Sequence, residues 1–458
     1  MIRPWLDGNK NQFGVRKLAH VGLLKARIGW QNLRTDEFVD EGPFCVTGTD
    51  FQNGEVEWSK SYHVSPERYE IDKNIQLREN DLLITKDGTI GKVAVVRNLP
   101  GPATLNSGVF ILRSMGEGVH STFMKWIIQS KVFDDFVTYH SSGSTINHLY
   151  QNVFEKFRFP YPALQAQKAI ADFLDRETAR IDQLIEKKRR LVELVHERQN
   201  SEITAEVTGV YSNASFRKPS RSSFIGELPG DWEDAQLKHL VRPGTSITYG
   251  IVQAGPEHEG GIPYIRTGDM KGDELPKSGY PHTSPEIEKS YARSRMEKGD
   301  LVIAIRATVG KCLRLPDQLV GANLTQGTAK ISPGPRMSRD FMLYAIQSAP
   351  SQSFFGQSSK GATFKEITLD RLRRLVLPLP PIDQQGRIVE RLHQVDAKSK
   401  RLRQATQVST NRLCEFRSAL ITAAVTGQIE VATWGKQGQT DRRLDRIEEE
   451  MSRKEATA

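Results

Sequence analysis

The chain has 458 residues, 38% hydrophobic and 26% charged, with 64 Lys and Arg against 55 Asp and Glu. That length exceeds one ordinary hydrophobic core, so two to four domains are expected. The composition excludes collagen-like and disordered chains, and no apolar run approaches the roughly 18 residues a membrane span needs.

The opening Met1-Ile2-Arg3-Pro4-Trp5-Leu6-Asp7 has no signal-peptide apolar region. Cys45, Cys312 and Cys414 lie far apart and offer neither a disulfide framework nor metal-ligand spacing. A reduced, cytoplasmic setting without membrane attachment is therefore expected. The net charge of +9 favours a polyanionic partner without identifying it.

In chain order, short β-type runs come first: Asp81 to Ile84, Val93 to Val96 and Val109 to Leu112, punctuated by Gly, Asn and Ser. A helical stretch, Phe123 to Ser130, follows, and Phe159-Pro160-Tyr161-Pro162 closes the globule. Residues 164–207 then contain no proline and are dense in Glu, Lys, Arg, Gln, Leu and Ala, which predicts one long helix. After it the pattern begins again. Asn80-Asp81-Leu82-Leu83-Ile84 with Gly91-Lys92 matches Gly299-Asp300-Leu301-Val302-Ile303 with Gly310-Lys311, at an offset of 219. Pro43 to Gly48 matches Pro263 to Gly268 at 220, and Phe159 to Pro162 matches Leu377 to Pro380 at 218. Thr204-Ala205-Glu206-Val207-Thr208-Gly209 matches Thr422-Ala423-Ala424-Val425-Thr426-Gly427, again at 218. So many ordered anchors at a near-constant offset establish an internal duplication. Each copy is a mixed α+β globule followed by a long helix.

The second helix, 382–425, carries a 4,3 spacing through Ile388, Leu392, Val395, Leu402, Leu413, Phe416 and Leu420. The first repeats it through Ile170, Leu174, Ile181, Leu184, Leu191 and Val195. This 3.5-residue period is a coiled-coil seam, interrupted by Lys188 and Ser399, so neither helix should stand well alone. The two are expected to pair as an antiparallel coiled coil with pseudo-two-fold symmetry, a ruler about 60 Å long at 1.5 Å per residue. From the heptads alone such a pair is an ordinary helical-hairpin scaffold with no ruler role, but a duplicated globule on a pseudo-two-fold rod has the geometry needed to touch two half-sites on one face of a duplex. Lys187 to Arg190 and Lys398 to Arg403 are basic runs that either face phosphates or form a solvated helix surface.

At this point the sequence resembles the specificity subunits of type I restriction-modification systems, over nearly its whole length. The resemblance rests on Leu228-Pro229-Gly230-Asp231-Trp232-Glu233, on Asp300 to Ile303 followed by Thr308-Val309-Gly310-Lys311, and on Leu377-Pro378-Leu379-Pro380-Pro381-Ile382-Asp383-Gln384-Gln385 leading into a helix that ends near Thr422 to Gly427. The first copy follows the same plan but departs at its start, where Met1 to Gly14 lacks the Leu-Pro-x-x-Trp entry. The resemblance implies two target-recognition domains, 1–162 and 232–380, each reading one half of a split, asymmetric double-stranded DNA target. It implies conserved helical spacers at 163–208 and 381–427, a linker at 209–231 and a C-terminal tail at 428–458. It also implies docking of two methyltransferase subunits, which bind S-adenosylmethionine, and of endonuclease subunits that cleave. The chain itself then carries no cofactor, no metal and no catalytic residue.

The missing chemistry agrees with that reading. Gly88-Thr89-Ile90-Gly91-Lys92-Val93 has only two residues between its glycines, and Val93 stands where a phosphate loop needs Ser or Thr. Pro316-Asp317 lacks the acidic-x-Lys of a nuclease, since Thr328-Ala329-Lys330 fills that place. No Asn/Asp-Pro-Pro-aromatic segment, glycine-rich cofactor loop or His-x-x-x-His pair is present.

Base reading needs Arg, Lys, Asn, Gln or Thr on loops beside a rigid sheet. Three loop sets qualify. Thr85, Lys86, Thr89 and Lys92 stand against Arg306, Thr308 and Lys311. Ser141, Ser142, Ser144, Thr145 and Asn147 stand against Ser358, Ser359, Lys360, Thr363 and Lys365. Asn106 and Ser107 stand against Thr325 and Gln326, with Tyr249 and Arg266 added in the second copy. Shared positions are expected to shape the loop or hold phosphate, and differing ones to carry sequence choice. Two other readings compete: a scaffold that binds only proteins, and a self-sufficient modifying enzyme, for which no S-adenosylmethionine site is found.

Overall fold

A computed structural model describes residues 4–27, 33, 35–116, 118–141, 148–359, 365–434, 446 and 453. It divides into two compact units, Met1–Arg189 with Gln407–Ala458, and Arg190–Thr406.

In the first unit a six-stranded sheet is built from β1 (Gly22–Ala26), β2 (Phe51–Gln52), β3 (Glu55–Val56), β4 (Leu82–Thr85), β5 (Val93–Val95) and β6 (Val109–Ser114), in spatial order β1-β6-β4-β5-β3-β2. Alternate residues of these strands enter different cores. Leu82 and Ile84 join Phe110, Phe123, Phe133 and Phe136, among them residues of α1 (Ser121–Ile128) and α2 (Lys131–Ser141). Leu83 points the other way, into a core with Val46, Ala103 and Ile111. Period-2 side chains on a sheet covered on both faces make Leu-Leu-Ile apolar throughout instead of alternating. A smaller sheet covers that second face and contains a parallel pair, Phe44↔Ala103 to Val46↔Leu105. The long helix α3, Leu164–Val207, follows.

The second unit repeats the plan with β7 (Thr248–Tyr249), β8 (Leu301–Ala304), β9 (Cys312–Arg314) and β10 (Thr328–Ile331), in order β7-β10-β8-β9. Leu301 and Ile303 face one core with Phe341 and Phe355, of α4 (Arg339–Gln347) and α5 (Ala349–Ser358). Val302 and Ala304 face another, with Ile265 and Leu324. The parallel pair recurs as Tyr264↔Asn323 and Ile265↔Leu324. The second long helix is α6, Ile382–Val425.

The globule entry exists in both copies despite the unlike sequences before it. Val15–Lys17 pairs with Arg158–Pro160, as Glu233–Gln236 pairs with Val376–Leu379. Where the second copy anchors its entry with buried Trp232, whose Nε1 donates to Gln384 Oε1 at 2.8 Å, the first uses buried Trp5, whose Nε1 donates to Arg158 O at 2.9 Å.

The Asp of each Asp-Leu pair is structural. Asp81 accepts from Arg78 N at 2.7 Å and holds Arg113 through two bonds of 2.8 and 2.6 Å. Asp300 accepts from Glu297 N at 2.7 Å and lies 3.2 Å from Lys330 Nζ. Both carboxylates are buried, so each is retained by a cation and a turn amide.

Both long helices cross the division between the units, and within each unit they pair antiparallel. In the first, Asp182 meets Arg417 at 2.9 Å, and Phe173, earlier in α3, meets Trp434, which lies in the short helix Val431–Trp434 beyond the end of α6. In the second, Gln199 bonds Asp396 at 2.7 Å and Glu206 bonds Arg391 at 2.7 Å. Ile181, Leu184, Leu191, Val195, Leu392 and Leu413 are buried, and Val395, Leu402 and Phe416 half-buried. Lys188, the polar interruption, is itself only 4% exposed. Each helix ends in a Schellman turn: Val210 N donates to Ala205 O at 2.8 Å across Gly209 (φ 71°), and Gln428 N to Ala423 O at 2.9 Å across Gly427 (φ 78°). The threonines one turn earlier cap other helices: Ala349 N donates to Thr204 Oγ1 at 3.0 Å, and Lys131 N to Thr422 Oγ1 at 3.1 Å.

Candidate nucleic-acid interface

The turn after β4 and the turn after β8 have one backbone. Thr85 N donates to Lys92 O at 2.9 Å and Gly91 N to Thr85 O at 3.0 Å. Ala304 N donates to Lys311 O at 2.8 Å and Gly310 N to Ala304 O at 3.0 Å. Gly91 (φ 84°) lies against Phe133, and Gly310 (φ 89°) against Phe355, so close that an added Cβ would stand 2.8 and 2.4 Å from those rings. At the apex Gly88 (φ 65°) and Ala307 (φ 59°) are both left-handed. This explains the Thr-x-Gly-Lys repeat as a loop-shaping element, since only glycine has both the room and the dihedral freedom.

Other loops converge on each turn. In the first unit Lys86 N donates to Gly108 O at 2.9 Å, and Lys92 Nζ to Gly48 O at 2.8 Å. Asn106 N donates to Val46 O at 2.9 Å, while its Oδ1 accepts from Ser107 N at 2.7 Å. In the second unit Ile305 N donates to Gly327 O at 2.9 Å, Thr325 N to Ile265 O at 3.2 Å and Gln326 N to Ile251 O at 3.0 Å. Thus the first and third loop sets come together at one end of each sheet. Thr89, Lys92, Thr308, Arg266 and Tyr249 are exposed there, and Lys86, Asn106, Arg306, Lys311 and Gln326 are half-buried. Lys86 Nζ rests over the Phe110 ring at 5.6 Å. Arg266 is self-contained: it bonds Asp269 at 3.0 Å, and that bond holds its pKa above the ordinary arginine range.

Of the second loop set, Lys365 is exposed, and its carbonyl accepts from Ala307 N at 2.9 Å. Ser142, Ser144, Thr145, Asn147, Lys360 and Thr363 lie outside the described residues.

The basic runs on the helices have acidic company. Arg190 lies 2.8 Å from Glu193 and 3.5 Å from Glu197, and Arg189 lies 3.6 Å from Glu186. Lys400 meets Glu274 and Arg403 meets Asp273, each at 3.0 Å.

Sequence reasoning missed Arg27 and Asp87. Arg27 is 2% exposed; its Nε donates to Leu105 O at 2.8 Å and its Nη2 to Thr104 Oγ1 at 3.3 Å, beside Asn106. Burial lowers its pKa. In the second copy backbone replaces that side chain, as Ile251 N donates to Leu324 O at 2.7 Å. Asp87, at the place of Arg306, pairs with His148. Aligning the two copies residue by residue exposes it; a search for basic and amide residues does not.

A cleft of about 460 Å³ in the second unit is lined by Tyr211, Phe216, Trp232 and Arg391 among others, none of them in these loops. Among the described residues no cluster of His, Cys, Asp and Glu is arranged to hold a metal ion, and no helix is long and apolar enough to cross a membrane.

A family profile described as "Type I restriction modification DNA specificity domain" matches twice, at residues 15–194 and 229–408. The chain is similar to the type I restriction enzyme EcoBI specificity subunit of Escherichia coli, 24% identical over 77% of this chain and 74% of the relative. It is equally similar, at 24% over 76% of this chain and 78% of the relative, to a putative type I restriction enzyme MjaX specificity subunit of Methanocaldococcus jannaschii. Among solved structures, a chain from work on complex assembly and conformational transition of the type I R-M system superposes with a TM-score of 0.62. It is 18% identical, over 91% of this chain and 98% of that one.

Proposed function

The chain belongs to the type I restriction-modification DNA specificity family, and from that premise we propose that it reads a split, asymmetric duplex target with one globule per half-site. Residues 1–162 read one half and 232–380 the other, while the spacers 163–208 and 381–427 set the distance between them. The same helices dock two methyltransferase subunits, and endonuclease subunits join that assembly. Methyl transfer and cleavage belong to those partners, and this chain contributes sequence choice alone.

One observation carries the reading. Two turns with one backbone, held by equivalent glycines against phenylalanines of the corresponding helices, present unlike side chains: Lys86 and Asp87 in one, Arg306 in the other. A fixed scaffold with variable edge chemistry is what recognition of two different half-sites requires, because backbone and phosphate contacts position while base-edge contacts specify.

The test is to co-purify the chain with its methyltransferase partners and map adenine methylation across a genome. A bipartite motif is expected, and exchanging 232–378 for a foreign domain should alter one half of it. If both halves change together, one-globule-per-half-site is wrong. If salt-sensitive binding to duplex DNA is absent, the protein-binding scaffold gains support.

A further inference from the structure

Asp87 and Arg306 occupy the same position in the two turns, 219 residues apart, one residue before the left-handed apex at Gly88 and Ala307. Each forms an isolated antiparallel bridge, Asp87 with His148 and Arg306 with Glu366. Each also pairs with that partner through its side chain: Asp87 with His148 Nδ1, and Arg306 Nη2 with Glu366 Oε1 at 3.1 Å. The place of the acid is therefore exchanged. In the first copy the turn carries the acid and the facing segment the imidazole; in the second the turn carries the cation and the facing segment the acid.

Holding the loop does not require this exchange. Backbone bonds already tie the segments, Leu149 N to Lys86 O at 2.9 Å in one copy, and Ala307 N to Lys365 O at 2.9 Å with Ile367 N to Ile305 O at 3.0 Å in the other. An ion pair whose side chains are 41 and 47% exposed adds little to stability. What the exchange does alter is the hydrogen-bonding character offered outward. The Asp87 side chain is 46% exposed and only accepts. The Arg306 side chain is 41% exposed and only donates.

We propose that Asp87 and Arg306 choose a base at equivalent places in the two half-sites, Asp87 accepting from an exocyclic amino group of the cytosine type and Arg306 donating to the paired acceptors of guanine. The pairing rules of the major groove match these groups. His148 and Glu366 orient the two side chains. The assignment rests on the half-site reading above.

The experiment uses the full chain with its methyltransferase partners and duplexes randomised one position at a time across the bipartite target, with methylation rate as the readout. Asp87→Asn should cut discrimination at one position of one half-site about tenfold or more and leave the other half-site unchanged. Arg306→Gln should do the converse. Transplanting the second copy's pair into the first, Asp87→Arg with His148→Glu, should change the preferred base at the same position to guanine. Variants that melt like the parent yet keep its preference everywhere, or lose rate equally on all sequences, overturn the assignment. A parent complex showing no bipartite target would overturn the half-site reading itself, which separates the two failures.

Discussion

Gln167 and Gln385, 218 residues apart and both fully buried, make two equivalent hydrogen bonds each, and Gln385 adds a third. His120 N donates to Gln167 Oε1 at 2.9 Å, and Ser338 N donates to Gln385 Oε1 at 2.8 Å. Gln167 Nε2 donates to Pro162 O at 3.0 Å, and Gln385 Nε2 to Pro380 O and Arg336 O, each at 2.9 Å. Each amide therefore joins the first turn of a long helix to the start of a globule helix and to the proline exit strand. Such a joint fixes the angle at which each globule meets its long helix.

Gln385→Leu tests that joint. The substitution keeps volume but strands the Ser338 amide and two carbonyls, and an unsatisfied buried polar group costs about 1–3 kcal/mol. Urea unfolding followed by circular dichroism should show a loss in that range. A loss below about 0.5 kcal/mol would mean that water replaces the amide at no cost.

The turn glycines predict a graded series. Gly310→Ala places a methyl 2.4 Å from Phe355 at φ 89°, so steric and dihedral penalties combine and a loss of about 2 kcal/mol or more is expected. Gly88→Ala meets nothing within 4 Å and bears only the left-handed penalty, about 1 kcal/mol. Ala307→Gly removes that penalty from the second copy and should stabilise by about 0.5–1 kcal/mol. Melting the three variants side by side checks the order, and equal effects at Gly88 and Gly310 would contradict the packing against Phe355.

Asp300→Ala should be the most damaging of the charge deletions in the second unit. Asp300 is fully buried, and Lys330, 4% exposed, lies 3.2 Å from it. Removing the acid weakens the compensation of a buried cation, now left to Glu297, and breaking such a pair costs about 3–5 kcal/mol. Asp300→Ala with Lys330→Met removes both charges and should recover much of that loss in equilibrium unfolding.

The legible parts of the sequence were those with local causes. The two 44-residue helices begin after the exits Phe159-Pro160-Tyr161-Pro162 and Leu377-Pro378-Leu379-Pro380 and end at Thr-Gly, because a proline-rich strand ends one element and a left-handed glycine ends the other. The Asp-Leu and Thr-x-Gly-Lys anchors were visible as motifs, but their causes were not. Asp81 depends on Arg113, and Gly91 on Phe133, both distant in sequence. The basic runs were visible too, yet the acids at Asp273 and Glu274 that meet Lys400 and Arg403 come from another element. Arg27 could not be found from residue type, because its role is to reach Leu105 O where the second copy uses its backbone.

The cysteines give a prediction with a pH axis. Cys45 and Cys312 are fully buried, and burial pushes each thiol up to about 12, whereas Cys414 is exposed. Thiolate is the reactive form, so at pH 8 one thiol of the native protein should react with a disulfide reagent and all three after unfolding. The sign for stability follows from the raised values. Below roughly pH 8.5 both states keep these thiols protonated and the pair adds no pH dependence. Above it the unfolded chain loses two protons that the native state retains, so stability falls as pH rises toward 12. Replacing both residues, Cys45→Ala with Cys312→Ala, should flatten that alkaline decline at the expense of cavity formation. An unchanged slope between pH 9 and 11 would show that other groups govern it.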